Sequence, residues 1–141
     1  MADVYGVNTT KVNAGTKDGN WVDQGLIKSS VKVMSDVYEA SALADGSTIG
    51  MANLPAGAVV QAVVVSFDAL GAGVTVEVGD ANTSDLYLSA TVATNAGSAL
   101  GDKVDGVSYV IGTNDGDDEI LITTGVGAST GTIKLLVLYT N

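Results

Sequence analysis

Carboxylates are the main candidates for chemistry in this sequence. The 141 residues include 16 Asp and Glu, but there is no cysteine and no histidine, and all six basic residues are lysines. These absences exclude thiolate nucleophiles, imidazole bases, Ser-His-Asp triads and zinc sites built from the usual ligands. They also exclude a bidentate arginine clamp on phosphate. A carboxylate-based enzyme and a calcium site are the chemical functions that the composition leaves open.

A carboxylate-based enzyme would need two paired carboxylates. A glycoside hydrolase places two carboxyl groups about 5–9.5 Å apart across a cleft. The candidates on or beside predicted strands are Asp36, Glu39, Asp68, Glu77 and Asp85. No spacing in the sequence pairs any two of them, and the aromatic residues that would form a platform for sugars make up only 5%. We therefore predict that the protein is not an enzyme, has no catalytic residues and binds no cofactor.

The densest polar cluster is Asn114–Glu119, in which every residue except Gly116 carries a side-chain oxygen. Calcium prefers several carboxylate and carbonyl ligands, so this segment is a candidate calcium loop. Its spacing differs from that of an EF-hand, which needs Asp at the first and third positions, Gly at the sixth and Glu at the twelfth. We favour an acidic hairpin turn between two strands and assign no metal site. Calcium binding remains the alternative.

The net charge of −10 bears on the choice of partners. Nucleic-acid binding depends on neutralising phosphates with lysine and arginine, and this chain would repel a polyanion. The longest mostly apolar stretch, Leu54–Leu70, contains proline, glycine and polar residues, which make it too polar for a membrane span. The first residues, Met1–Gly6, lack the basic and apolar regions of a signal peptide. We expect no direct contact with nucleic acid or membrane, and no secretion.

From Val31 onward the composition favours β-structure. The acids of the whole chain are 13 Asp and 3 Glu, and Thr, Val and Gly are abundant, a balance that disfavours helices and favours strands joined by turns. The predicted strands are Val31–Tyr38, Thr48–Met51, Ala58–Asp68, Val74–Val78, Leu86–Ala90, Val107–Gly112, Glu119–Thr124 and Thr132–Thr140. Helical turns are expected only at Glu39–Leu43 and Ala96–Asp102. The pattern indicates an all-β fold, an antiparallel sandwich or barrel whose strand order the sequence does not determine.

Residues 1–30 are expected to form an extended N-terminal arm, and residues 31–141 a β-sandwich domain. Between Asn8 and Asn20 the only large apolar residue is Val12, and such a stretch cannot offset the entropy of its own ordering. Four apolar residues follow as a candidate anchor: Trp21, Val22, Leu26 and Ile27. The alternative is a loose terminus with Trp21 packed against the core of its own chain.

Two predicted strands have apolar residues on both faces. In Ala58–Asp68, Val60 and Val64 lie on the face opposite Val63 and Val65. In Thr132–Thr140, Leu136 and Leu138 lie on one face, and the other face carries Ile133, Leu135, Val137 and Tyr139. A strand with one solvated face should alternate cleanly between apolar and polar residues. We infer that a loop or the arm covers the second face, or that another subunit packs against it.

Several segments together resemble a known class of proteins. They are Tyr38–Ala44, Ser47–Met51, Leu54–Ala58, Val76–Asp80, Gly106–Tyr109, Thr130–Leu135 and the final Tyr139. In these segments the sequence resembles small virion proteins of tailed bacteriophages that are encoded among the head genes. The resemblance extends over most of the chain and consists of turns and strands, so it transfers no functional residue.

The resemblance implies a capsid decoration (cement) protein. Such proteins form a compact β-sandwich, often a jelly roll, assemble as homotrimers and bridge neighbouring capsomers on the outside of the head. The implied partner is the major capsid protein, and the implied location is the outer surface of the virion after synthesis in the host cytoplasm. Two alternatives stay open: another phage structural component, such as a tail-tube, head-fibre or knob protein, and a calcium-binding or glycan-binding β-sandwich module.

Overall fold

The computed structural model describes residues 30–112 and 118–141. Within them the chain forms nine strands and no helix. The strands are β1 Val31–Leu43, β2 Thr48–Asn53, β3 Val59–Phe67, β4 Thr75–Gly79, β5 Leu88–Val92, β6 Gly97–Leu100, β7 Tyr109–Val110, β8 Glu119–Gly125 and β9 Ser129–Thr140. This part of the chain accordingly contains no helix long and apolar enough to cross a membrane.

The described strands form two antiparallel sheets that pack face to face. Sheet A has the order β1-β9-β3-β6, and β7 pairs with the first residues of β3. Sheet B has the order β2-β8-β4-β5. All of the strand pairs are antiparallel. The predicted all-β antiparallel sandwich is confirmed, and each predicted strand overlaps an observed one.

The core lies between the sheets and follows from the two-residue period of the strands. In β8 the inward positions are Ile120, Ile122 and Thr124, which are all buried. In β9 they include Ile133 and Leu135, also buried. Burying one large aliphatic side chain contributes roughly 1.5–3 kcal/mol, so the alternating residues of these strands supply much of the driving force for folding. The largest fully buried side chains are Leu70, Ile111, Ile120, Ile122, Ile133 and Leu135.

The helical turn expected at Glu39–Leu43 is wrong, because these residues continue β1. Glu39 pairs with Thr132 of β9, and the Thr132 hydroxyl donates a 2.8 Å hydrogen bond to the Glu39 carboxylate. The register then shifts at a bulge in which Ala42 has a φ of 48°. Helix propensity amounts to only tenths of a kcal/mol per residue, and the ladder with β9 outweighs it.

The helical turn expected at Ala96–Asp102 is also wrong, because this segment contains β6. Its four strand residues pair with the second half of β3, from Val64↔Leu100 to Phe67↔Gly97. The pairing extends sheet A by one strand, a long-range gain that local sequence preference does not reveal.

Two sequence predictions lie outside the described residues. The predicted arm comprises residues 1–30, and of these only Ser30 is described. Of the Asn114–Glu119 cluster, only Asp118 and Glu119 are described. The Asp118 carbonyl accepts a 2.8 Å hydrogen bond from the Leu54 N–H, and Glu119 begins β8.

A buried aspartate organises the turn that follows β4. Asp80 is only 4% exposed, and its Oδ1 accepts hydrogen bonds from the N–H groups of Asn82 (2.8 Å) and Thr83 (2.7 Å). The Asp80 N–H donates to the Thr83 carbonyl at 2.9 Å, which closes the turn tightly against Gly79. A Cβ at Gly79 would collide with the backbone of Thr83 and Ser84, so only glycine fits there.

We expect Gly79→Ala to lower the free energy of unfolding by about 1–3 kcal/mol, because the backbone it meets cannot move without breaking the Asp80 turn. Gly97→Ala is the matched control, since its Cβ would meet only the Phe67 ring at an ordinary 3.7 Å. Urea unfolding of both variants measures the difference. Equal stability of the two would show that the close approach at Gly79 is not a constraint.

Candidate functional site

The outer face of sheet A is built from residues in cross-strand register. Val33 of β1 pairs with Leu138 of β9, which pairs with Ala62 of β3. In the next row Leu136 pairs with Val64. That row extends to Ser35 on β1 and Leu100 on β6. Partners across an antiparallel sheet point to the same side, and the alternate residues of β9 fill the core, so these side chains point outward.

These outward residues form an exposed surface, which we call the apolar face. It comprises Val31, Val33, Val37, Ala62, Val64, Leu100, Leu136 and Leu138. At its margins Val33 is 59% exposed and Leu100 is 63% exposed. A shallow depression of 280 Å³ lies between β1, Val64 and Leu136. Large exposed apolar patches are a feature of interaction sites, which makes this face a candidate.

The exposed apolar side chains of the described residues are unevenly distributed. Most of the large ones lie on sheet A or in the connection between β6 and β7, namely Val31, Val33, Val37, Leu100, Val104, Val107, Val110 and Leu136. On sheet B, in contrast, the outward rows include threonine and glutamate, as in the register Thr48↔Thr123↔Glu77, and Val92 of β5 is the large apolar side chain that is mostly exposed there. The two outer faces therefore differ in chemistry, and the face of sheet A is the candidate contact surface.

The apolar face includes Val64, Leu136 and Leu138, which the sequence placed on a second apolar side of their strands. The same prediction is wrong for Val60, which is buried in the core because the register with β9 shifts between Val60 and Ala62. Its margins are more than half exposed, whereas Ala62, Val64 and Leu138 nearer the centre are partly buried. Covering of this face by the arm or by another subunit stays a prediction.

Two of the candidate carboxylates meet at the polar end of this face. Thr132 donates from its hydroxyl to Glu39 at 2.8 Å and from its backbone N–H to Asp68 at 3.2 Å. Hydrogen bonding by the Thr132 side chain, and then by its backbone, lowers the pKa of Asp68. A glycosidase needs one carboxyl group whose pKa is raised so that it can act as an acid. The environment of Asp68 has the opposite effect.

The other three candidate carboxylates lie apart and have their own partners. Glu77 accepts a 2.9 Å hydrogen bond from the Ser84 hydroxyl. Asp85 forms an ion pair with Lys103, also at 2.9 Å. Asp36 accepts a hydrogen bond from the next residue's N–H on the exposed part of β1. Among the described residues, no three acidic side chains are grouped so that they could hold a metal ion.

No protein-family model matches the chain, and no curated protein sequence matches it. Solved structures do match. A chain of the cyanophage Pam1 capsid asymmetric unit is 25% identical, with a TM-score of 0.64 over 80% of this chain and 84% of that one. The chain has the fold of a bacteriophage capsid protein. The resemblance to phage head proteins that the sequence indicated is thereby confirmed.

Two further phage capsids contain the same fold. A chain from the capsid of Ralstonia phage GP4 is 19% identical, with a TM-score of 0.61 over 79% of this chain and 84% of that one. A chain from the acid-stable capsid of Helicobacter pylori bacteriophage KHP30 is 15% identical, with a TM-score of 0.57 over 80% and 89%. The similarity in each case spans most of both chains, so it concerns the whole sandwich.

The apolar face predicts that the protein associates with itself. We expect Val33→Lys to change the free energy of unfolding by no more than about 0.5 kcal/mol, because the side chain is exposed, but to weaken association. Thr48→Lys adds the same charge on the opposite sheet and is the matched control. Sedimentation velocity over a range of concentrations measures association. If the two variants sediment alike, the apolar face is not the contact surface.

Proposed function

We propose that this protein is a structural component of a bacteriophage virion, specifically a capsid decoration protein. In this proposal it assembles as a homotrimer on the outer surface of the head and bridges capsomers of the major capsid protein. The single observation that carries the proposal is the apolar face of sheet A. The capsid fold of the similar structures supports the setting.

The apolar face suits subunit contact because it is almost free of charge. Its outward rows contain one cation, Lys134, and the acids Glu39 and Asp68 lie only at its end. The whole chain carries a net charge of −10, so two copies repel each other over most of their surface. They can approach closely where charge is absent and apolar area can be buried. A stable interface needs about 800 Å² from each partner, and a four-stranded face is an element of suitable size.

The distribution of charge favours the outside of the head. Packaged DNA presents a dense array of phosphates to the inner surface of a shell, and an acidic protein would be repelled there. The outer rows of sheet B, with Glu77 and several threonines, suit contact with solvent. We therefore assign sheet A to protein contacts and sheet B to the solvent side.

The strand order supports a jelly roll. The chain alternates between the sheets, from β1 in sheet A to β2 in sheet B and back to β3, and returns at the end from β8 to β9. A five-stranded sheet and a four-stranded sheet with such crossing connections resemble the arrangement of a jelly roll, an architecture used in viral shells. The role we propose is passive and non-enzymatic, without catalytic residues or a cofactor. In this role the protein acts only through contacts between protein surfaces.

The N-terminal region has a part in the proposal. We divide the chain into an arm over residues 1–30 and a sandwich domain over residues 31–141. Residues 1–30 hold three lysines and three aspartates and are neutral overall, whereas residues 31–141 carry a net charge of −10. A neutral arm is not repelled by an acidic shell and can lie across it. In a trimer three arms act together, which raises the avidity about 10²–10⁴-fold where the geometry allows simultaneous contact.

The proposed function predicts trimers in solution that bind preformed heads. Sedimentation equilibrium gives the mass of the oligomer, and co-sedimentation with heads of the phage that encodes the chain gives the affinity. Cryo-electron microscopy of the decorated heads then locates the protein. A monomer without affinity for heads would contradict the proposal, and rings or fibres without heads would favour a tail or fibre protein.

Deletion of residues 1–30 is expected to leave the sandwich folded and to weaken attachment to heads by tenfold or more, because three arms are lost from each trimer. Thermal unfolding of the truncated chain is the control for folding. Attachment that survives the deletion unchanged would exclude the arm from the contact while leaving the role of the apolar face intact.

A further inference from the structure

Strand β1 forms one edge of sheet A and is paired along one side. Among the described strands it pairs only with β9, and the register runs without interruption from Val31↔Thr140 to Ala40↔Gly131. An edge strand presents a row of backbone N–H and carbonyl groups that can pair with another chain. The bulge that follows Ala40 ends the regular part of the strand. The edge available for pairing is therefore the segment Val31–Glu39, which we call the free edge.

Two hydrogen bonds show which residues direct their backbone groups to the free edge. Thr132 of β9 lies opposite Glu39, but its N–H donates to the Asp68 carboxylate and its carbonyl accepts from the Asp68 N–H at 3.0 Å. The backbone groups of Glu39 therefore point away from β9. The Val37 N–H likewise donates to the side chain of the preceding Asp36, at 2.8 Å. Because backbone direction alternates along a strand, the odd-numbered residues from 31 to 39 all face the free edge.

The free edge carries two opposite charges at a spacing that suits pairing with itself. Lys32 and Asp36 are exposed, although Met34 between them packs against the core. Along one strand these two residues are about 13 Å apart, too far for an ion pair within the chain. In an antiparallel pair of two β1 strands centred on Met34, each Lys32 lies directly opposite Asp36 of the second copy, with Cβ atoms about 4.5–5.5 Å apart. Such a pair is two-fold symmetric, so the ion pair occurs twice.

The same register pairs the backbone groups that face the free edge. It places Val33 opposite Ser35, and Val31 opposite Val37, of the second copy. All four residues are odd-numbered, so these are the pairs that exchange backbone hydrogen bonds. Val31 and Val33 are both 59% exposed and Val37 is 56% exposed. Pairing therefore covers valines at the margin of the apolar face, and the apolar face of one copy continues into that of the next.

The neighbouring registers lack this match of charges. Centring the pair on Val33 or on Ser35 places Met34 opposite one of the charged side chains and forms no ion pair. Centring it on Lys32 or on Asp36 brings two like charges directly opposite each other, which is destabilising. The two charges therefore select the register centred on Met34.

Asp36 makes the free edge selective for its partner. In the free chain its Oδ1 accepts from the Val37 N–H, and charged side chains on an edge strand are one of the ways in which proteins restrain edge-to-edge pairing. In the paired strands the Val37 N–H donates to the Val31 carbonyl of the second copy, and the Asp36 carboxylate turns to Lys32 of that copy. An extended chain without a cation at this position would leave Asp36 unpaired. The partner that fits is therefore a second copy of this chain.

We propose that the free edge of β1 pairs with the same edge of a second copy, antiparallel and centred on Met34, so that the two copies of sheet A become one continuous sheet. The inference goes beyond the proposed function, because a trimer needs a threefold contact and this contact is two-fold. It joins two trimers or two single chains. A single strand edge buries less area than a stable complex needs, so the contact is weak in dilute solution and forms where copies are held close together.

The first test traps the contact at its centre. The chain has no cysteine, so Met34→Cys introduces a single thiol and any disulfide joins two copies. Cα atoms of a directly opposed pair without backbone hydrogen bonds are about 4.5 Å apart, within the range of a disulfide. We expect oxidised glutathione to convert this variant to covalent dimers. Val37→Cys is the control, because its two thiols lie about 20 Å apart in this register.

The second test exchanges the charges in the Met34→Cys background. Lys32→Asp and Asp36→Lys each place like charges opposite each other, and we expect each to slow disulfide trapping at least about fivefold. The double variant Lys32→Asp/Asp36→Lys restores both ion pairs and should recover the rate. Labelling with N-ethylmaleimide corrects for changes in thiol reactivity. Lys103→Asp changes the net charge as much as Lys32→Asp, lies at the opposite edge of sheet A and is the matched control.

Three results would overturn the inference. Trapping at Val37→Cys as fast as at Met34→Cys would exclude the register. A double variant that traps no faster than the single variants would show that Lys32 and Asp36 do not meet between copies. Trapping that requires deletion of residues 1–30 would show that this segment, and not a second copy, occupies the free edge. These tests use the free protein, so failure to bind heads would contradict the proposed function and leave them valid.

Discussion

The register of β9 between β1 and β3 is the constraint on which the rest of this structure depends. β9 is hydrogen-bonded along both edges, and its alternate residues have opposite roles. Ile133, Leu135 and Val137 are buried in the core, whereas Leu136 and Leu138 point outward. A slip of one residue would exchange these two sets. The same pairing that closes the core therefore also presents an apolar surface to the outside.

The outer faces of the two sheets carry different kinds of side chain. Sheet A carries the apolar face, and the outward rows of sheet B are mainly threonine and glutamate. Hydrogen-bonded turns join strands within each sheet, among them the buried Asp80 turn between β4 and β5 and the loop between β6 and β7 in which Asp102 accepts from Ser89. A sandwich of this kind contributes a fixed, weakly charged contact plane, and a fixed plane loses little entropy when it is covered. That property suits the proposed role in a capsid.

Prediction from the sequence succeeded where local pattern decides the structure and failed where pairing decides it. The eight predicted strands are present because turn residues and β-branched residues separate and favour them. Glu39–Leu43 and Ala96–Asp102 were predicted as helical turns because their pairing partners in β9 and β3 are distant in sequence. The candidate carboxylates show the same limit. Only the fold brings Glu39 and Asp68 to Thr132. Hydrogen bonding by Thr132 then lowers the pKa of Asp68.

The sequence by itself determined the class of fold and the classes of chemistry that are absent. A chain without cysteine, histidine or arginine lacks those functional groups in any conformation, and its alternating β-branched residues favour strands locally. Which side of each strand faces the core was decided by the tertiary structure alone. In β1 the valines 31, 33 and 37 point outward while Tyr38 and Ala40 point inward, although valine is the more usual core residue. The reason is physical: both faces of a strand are equivalent locally, and only its register with a distant partner distinguishes them.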